Sequence, residues 1–117
     1  MEQANSVVAG SPLQMCPVLL CSIGHIMKKD ALLLGEISSL SMSRFIGRND
    51  NEWIHSTGSG YLIRLNSVFH PLLVLKRLGL SKPARRLIAT YINSAGIELI
   101  HFAAEFDVLQ EFPVFDW

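Results

Sequence analysis

Between Ser81 and Gly96 the apolar residues Ala84, Leu87, Ile88, Tyr91, Ile92 and Ala95 recur at i, i+3, i+4, i+7, i+8 and i+11. That spacing draws one apolar stripe along a helix. Ser81 offers the N-cap and Gly96 the left-handed C-cap, so both ends are specified. A helix with a single stripe must bury it against another layer.

The rest of the chain supplies that layer. Cys16 to Ile23 is a continuous apolar run closed by Gly24, which predicts a central strand buried on both faces. Lys28 to Leu40 carries Leu33, Leu34, Ile37 and Leu40 at helical spacing, with Gly35 and the serines beyond it weakening the helix. Gly47 to Glu52 is polar and predicts a loop. Trp53 to Ser56 and Tyr61 to Leu65 flank Thr57-Gly58-Ser59-Gly60, a hairpin pattern. Val68 to Leu78 is apolar nearly all round, predicting a well-buried helix with Pro71 in its first turn and Gly79 at its end.

Ile97 to Phe102 and Phe106 to Gln110 predict a second hairpin, and the aromatic tail from Phe112 to Trp117 is expected to pack back on the domain. The order is strand, helix, hairpin, two helices, hairpin. The fold class is α+β: an about five-stranded, mostly antiparallel sheet with helices packed on it. Met1 to Gln14 read as a flexible leader, and residues 15–117 as a single domain.

Composition narrows the functional classes. Apolar residues make up 50% and charged residues 17% of 117 residues, which excludes a chain kept unfolded by charge. Ten basic and ten acidic residues cancel, so no net field draws the protein to nucleic acid or an anionic membrane. The longest apolar run, Leu13 to Met27, is short of the roughly 20 residues that cross a bilayer, and no basic segment precedes it. The expected location is the cytoplasm. Cys16 and Cys21 lie at an odd offset, so on a strand they point to opposite faces and do not pair.

The candidates for chemistry are few. His25, His55, His70 and His101 are separated by 30, 15 and 31 residues, without the short spacings of metal ligands. Cys21 and His25 would be about 13 Å apart on a strand, too far for a nucleophile and its base. Gly58-Ser59-Gly60 is a turn and lacks the length and following helix of a phosphate loop. No catalytic residue, metal or cofactor is assigned.

Charge segregation is the informative feature. No acid occurs between residues 64 and 86, where Lys76, Arg77, Lys82, Arg85 and Arg86 form a candidate basic face. No base follows Glu98, Glu105, Asp107, Glu111 and Asp116, a candidate acidic face near the aromatic tail. The basic residues sit on a helix, a Gly-containing turn and a helix, with the second hairpin as a conceivable wing. That is the layout of a winged-helix-like DNA-binding regulator using Lys82, Arg85 and Arg86, although phosphate contacts ask for more net positive charge than this chain carries.

Cys21-Ser22-Ile23-Gly24-His25-Ile26, Trp53 through Gly60-Tyr61, Leu75 through Lys82 with Arg85-Arg86-Leu87, and Pro113-Val114-Phe115-Asp116-Trp117 resemble a family of small uncharacterised bacterial proteins. These are encoded on plasmids and integrated mobile elements, near antirestriction and toxin–antitoxin genes. The resemblance spans about Pro17 to the C-terminus and transfers no active-site residue. It implies an accessory protein of a mobile element. The expected function is that of a non-enzymatic binding protein inhibiting a host defence complex, of anti-CRISPR or antirestriction type, by surface occupation. The expected partner is a host protein or protein–nucleic acid complex, with DNA less favoured, no membrane, and a homo-oligomer open. An antitoxin-like partner of a neighbouring toxin would share the mechanism.

Overall fold

The computed structural model describes residues 16–43 and 53–117; the expected leader and the polar loop at 47–52 lie outside them. Four strands form one mixed sheet: β1 (Val18–Ser22), β2 (Ile54–Ser56), β3 (Gly60–Arg64) and β4 (Leu99–Ala103), in the order β1-β4-β3-β2. The helices are α1 (Lys28–Ser43), α2 (Pro71–Leu78) and α3 (Lys82–Ala95). The architecture is α+β, as expected.

The sheet itself corrects the sequence reading. Among the described residues it has four strands where about five were expected, and β1 runs parallel to β4, with Val18 opposite Leu99 and Ser22 opposite Ala103. Phe106–Gln110 forms no strand. The reason is topological: β4 already has β1 on one side and antiparallel β3 on the other, so no edge is left for a hairpin partner. The hairpin of β2 and β3 forms as read, with Ile54 opposite Ile63 and Gly58 at the turn with φ +91°.

Among the described residues β1 pairs on one side alone, with β4, contrary to the central position expected. Its side chains alternate: Cys21 is buried and Leu19 half-buried, while Val18 and Leu20 stay 45% and 52% exposed. Pairing places Leu19 beside Ile100 and Cys21 beside Phe102, and Ile63 lies on the other side of Ile100. These residues share one sheet face, and the core grows on it, filled by Leu34 of α1, Leu75 of α2 and Leu87 and Ile88 of α3. Burying Phe102 or Ile100 there contributes about 2–3 kcal/mol each.

α3 matches its stripe. Ala84, Leu87 and Ile88 are buried and Tyr91 and Ile92 half-buried, between the Ser81 and Gly96 caps. Ala95, at the last turn, is exposed. α2 departs from expectation: it begins at Pro71, and only Leu75 is buried, with Leu73 and Leu78 exposed. Its main neighbour is α3, so one side suffices to dock it.

After β4 the chain turns back. Ser22 N–H donates to the Asp107 carbonyl, Phe115 N–H to the Gly24 carbonyl, and the Trp117 indole to the Ile26 carbonyl. The tail therefore packs on the domain, as its aromatic content requires. Its anchor is His25, which is buried: the Leu109 N–H donates to Nε2 at 2.7 Å, and Nδ1 lies 2.8 Å from the Pro113 carbonyl. Because Nε2 accepts, the ring proton sits on Nδ1 and is donated to Pro113.

Candidate functional site

The basic corner is built by two helix ends. α2 stops at Gly79, whose φ of +106° only glycine adopts without strain and whose N–H meets the Leu75 and Lys76 carbonyls. Two residues later Ser81 caps α3, its hydroxyl accepting from the Ala84 N–H. Ser81 is itself clamped to α1. Its N–H donates to Asp30 Oδ1 at 2.8 Å and its hydroxyl to Oδ2 at 2.6 Å, and Oδ2 also accepts from the Met27 N–H. Asp30 is fully buried, and three donors offset the cost of removing its carboxylate from water. The corner is thus rigidly placed.

The five basic residues separate into three settings. Lys76 and Arg77 are exposed in the last turn of α2, where cations suit the helix dipole. Arg85 is half-buried and folds back, its Nε donating to the Leu80 carbonyl at 3.0 Å. Lys82 and Arg86 are exposed and, with Thr90, follow one line along α3. They face the C-terminal tail across a groove of about 650 Å³, whose other lining residues are Pro83, Glu111, Phe112 and Pro113. Neither Lys82 nor Arg86 has a carboxylate partner among the described residues.

The acidic residues are dispersed. Glu98 precedes β4 and accepts from the Asn66 side chain at 3.1 Å. Glu105 follows β4, where the Ser59 hydroxyl and its own N–H lower its pKa. The length of β4 holds these two apart, about 16 Å. Asp107 and Asp116 are exposed on the tail. Glu111 stands in the groove and accepts from the Tyr91 hydroxyl at 3.5 Å; burial and then that carboxylate raise the Tyr91 pKa. Phe112 packs on the Tyr91 ring, centroids 5.8 Å apart.

Cys21 and His25, the candidate nucleophile and base, are committed to the fold. Both nitrogens of His25 are taken by tail backbone. Cys21 is buried, and desolvation pushes its thiol up to about 12, while Cys16 is an exposed free thiol. His101 lies 3.0 Å from the Thr57 hydroxyl and edge-on to Phe106; His55 is half-buried on β2, and His70 is exposed before α2. Among the described residues no three His, Cys, Asp or Glu side chains gather as a metal site. No described helix is long and apolar enough to cross a membrane.

Lys82 and Arg86 were visible in the sequence as part of a basic run. Thr90 continues their i, i+4 line and could have been read with them. On the facing wall Glu111 was visible as part of the candidate acidic face, but only the fold of the tail brings 111–113 opposite Lys82 and Arg86.

A family model described as "Family of unknown function (DUF5983) C-terminal domain" matches residues 18–117. The chain belongs to this family. The matched span begins at β1 and takes in both walls of the groove, so the DUF5983 domain coincides with the sheet, its helices and the tail. Searches of curated proteins and of solved structures found no match.

Proposed function

We propose that this DUF5983 domain is a non-enzymatic, cytoplasmic binding protein that acts by occupying a surface on a partner protein. The single observation carrying this reading is the pair Lys82 and Arg86, two exposed cations without carboxylate partners among the described residues, beside a groove. Unpaired cations next to apolar Phe112 and Pro113 suit recognition by charge and shape. Cys21 and His25, the pair weighed as nucleophile and base, are bound into the fold, which supports recognition over bond-making.

The biological setting comes from the family resemblance: an accessory protein of a mobile element, whose partner would be a host defence complex of CRISPR-effector or restriction type. An antitoxin-like role would use the same surface on a different target. A duplex-binding regulator fits less well. β4 follows α3 as a single interior strand and supplies no wing. Arg85 is engaged at Leu80, and the Glu111 carboxylate stands where phosphates would approach.

The test is capture from bacterial lysate with the tagged domain, read by mass spectrometry, beside a Lys82→Glu/Arg86→Glu variant. A stoichiometric protein lost with the variant is expected. Recovery of no partner would defeat the proposal.

A further inference from the structure

The groove's charges have an order along α3 that specifies more than "basic". Lys82 and Arg86 are four residues apart, so their stems leave the helix about 6 Å from one another. Thr90 is one turn further on, and its hydroxyl donates to the Arg86 carbonyl at 2.8 Å, leaving its lone pairs to accept. Glu111, tied to the Tyr91 hydroxyl, lines the facing wall of the same groove. Read along the helix, the α3 wall presents cation, cation, then acceptor, with the Glu111 carboxylate on the wall opposite.

An extended peptide has a matching repeat. Alternate side chains leave the same side of an extended chain about 6.7 Å apart, close to one helical turn. Two carboxylates at alternate positions can therefore meet Lys82 and Arg86 at once, while the side chain between them points away. Two positions further, the next side chain reaches Thr90, whose free lone pairs welcome a cation or amide donor, and the Glu111 carboxylate in the same groove disfavours a third carboxylate. Pro83, Phe112 and Pro113 supply apolar walls for the peptide stem.

We infer that the groove between α3 and the C-terminal tail takes an extended acidic segment of a partner protein, with carboxylates at alternate positions followed by a non-acidic residue at the next. This rests on the binding-protein reading above and names the chemistry of the partner at that site. Duplex DNA offers a similar phosphate spacing, but the Glu111 carboxylate in the groove repels it.

The probe is a fluorescein-labelled peptide, Gly-Glu-Ser-Glu-Ser-Lys-Gly, titrated with the full chain by fluorescence anisotropy at low salt. Saturable binding is expected. The Lys82→Ala/Arg86→Ala variant should weaken it by about tenfold or more. Lys76→Ala/Arg77→Ala removes the same charge from α2 and should leave it unchanged. All four side chains are exposed, and circular dichroism checks that each variant is folded. Glu111→Lys should reverse the preference, favouring a probe with Glu in place of Lys.

Equal losses from the two double variants, undiminished binding of a probe with Gln for both Glu, or tighter binding of a labelled duplex would each overturn the inference. Its failure is separable from that of the function. If a captured partner survives Lys82→Ala/Arg86→Ala and the probe does not bind, the groove assignment falls and the binding protein stands. If the probe binds at the groove as described but lysate yields no partner, the groove chemistry stands and the function falls.

Discussion

Asp30 and Ser81, fifty-one residues apart in the chain, hold each other through both carboxylate oxygens, one on the Ser81 N–H and one on its hydroxyl. The carboxylate also closes the start of α1 by accepting from the Met27 N–H, so a single buried side chain fixes where two helices begin.

Replacing Asp30 with Ala should therefore cost about 3 kcal/mol, because it strands a buried N–H and two helix caps. Ser81→Ala should cost about 1–2 kcal/mol. The double variant should cost less than the sum, since each change already breaks the shared bonds. Urea unfolding of the three variants measures this, and strict additivity would show that the pair is not coupled.

His25 should govern the tail. His25→Ala removes the partner of the Leu109 N–H and of the Pro113 carbonyl, a loss of about 2–4 kcal/mol. Hydrogen exchange at Leu109 and Phe115 should accelerate well beyond any change in β4. Since Glu111, Phe112 and Pro113 form one wall of the groove, the acidic probe should bind more weakly as well.

The two thiols should differ sharply. Cys16 is exposed and should react with a thiol reagent in the folded protein, while Cys21 should react only after denaturation. Burial raises the Cys21 pKa from 9.0 to about 12. Above pH 9 the unfolded chain releases this proton and the folded chain keeps it, so the unfolded state binds fewer protons. Stability should fall as pH rises from about 9 towards 12, and Cys21→Ser should flatten that part of the profile.

Gly60 should tolerate no side chain. A Cβ there would fall within the van der Waals shell of the Phe102 carbonyl and crowd Ala103. Gly60→Ala should separate β3 from β4 and abolish cooperative thermal unfolding. Alanine at Gly58, where nothing lies within 4 Å of the added carbon, should cost only about 1 kcal/mol for its φ of +91°. Calorimetry on both variants makes the comparison.

What the sequence made legible was local. The α3 stripe, its two caps and the β2–β3 hairpin follow from spacing and turn chemistry within a few residues. The rank of β1 in the sheet did not, because an apolar run reads alike at an edge and in the centre, and the pairing partner lies at residues 99–103. Gly35 reads as a helix weakener, yet α1 runs through it to Ser43. A Cβ at Gly35 would lie 2.8 Å from the Tyr61 hydroxyl, so its smallness serves packing against β3. Of the site, the α3 wall and Glu111 were legible and their juxtaposition was not, since no local rule joins Lys82 to Glu111.

The parallel seam between residues 18–22 and 99–103 also dictates when the domain can close. During synthesis its first strand must wait, with Cys21 and Leu19 unburied, until β4 has been translated. A ribosome stalled anywhere before β4 therefore carries an unfinished sheet, and the seam closes only once β4 has emerged.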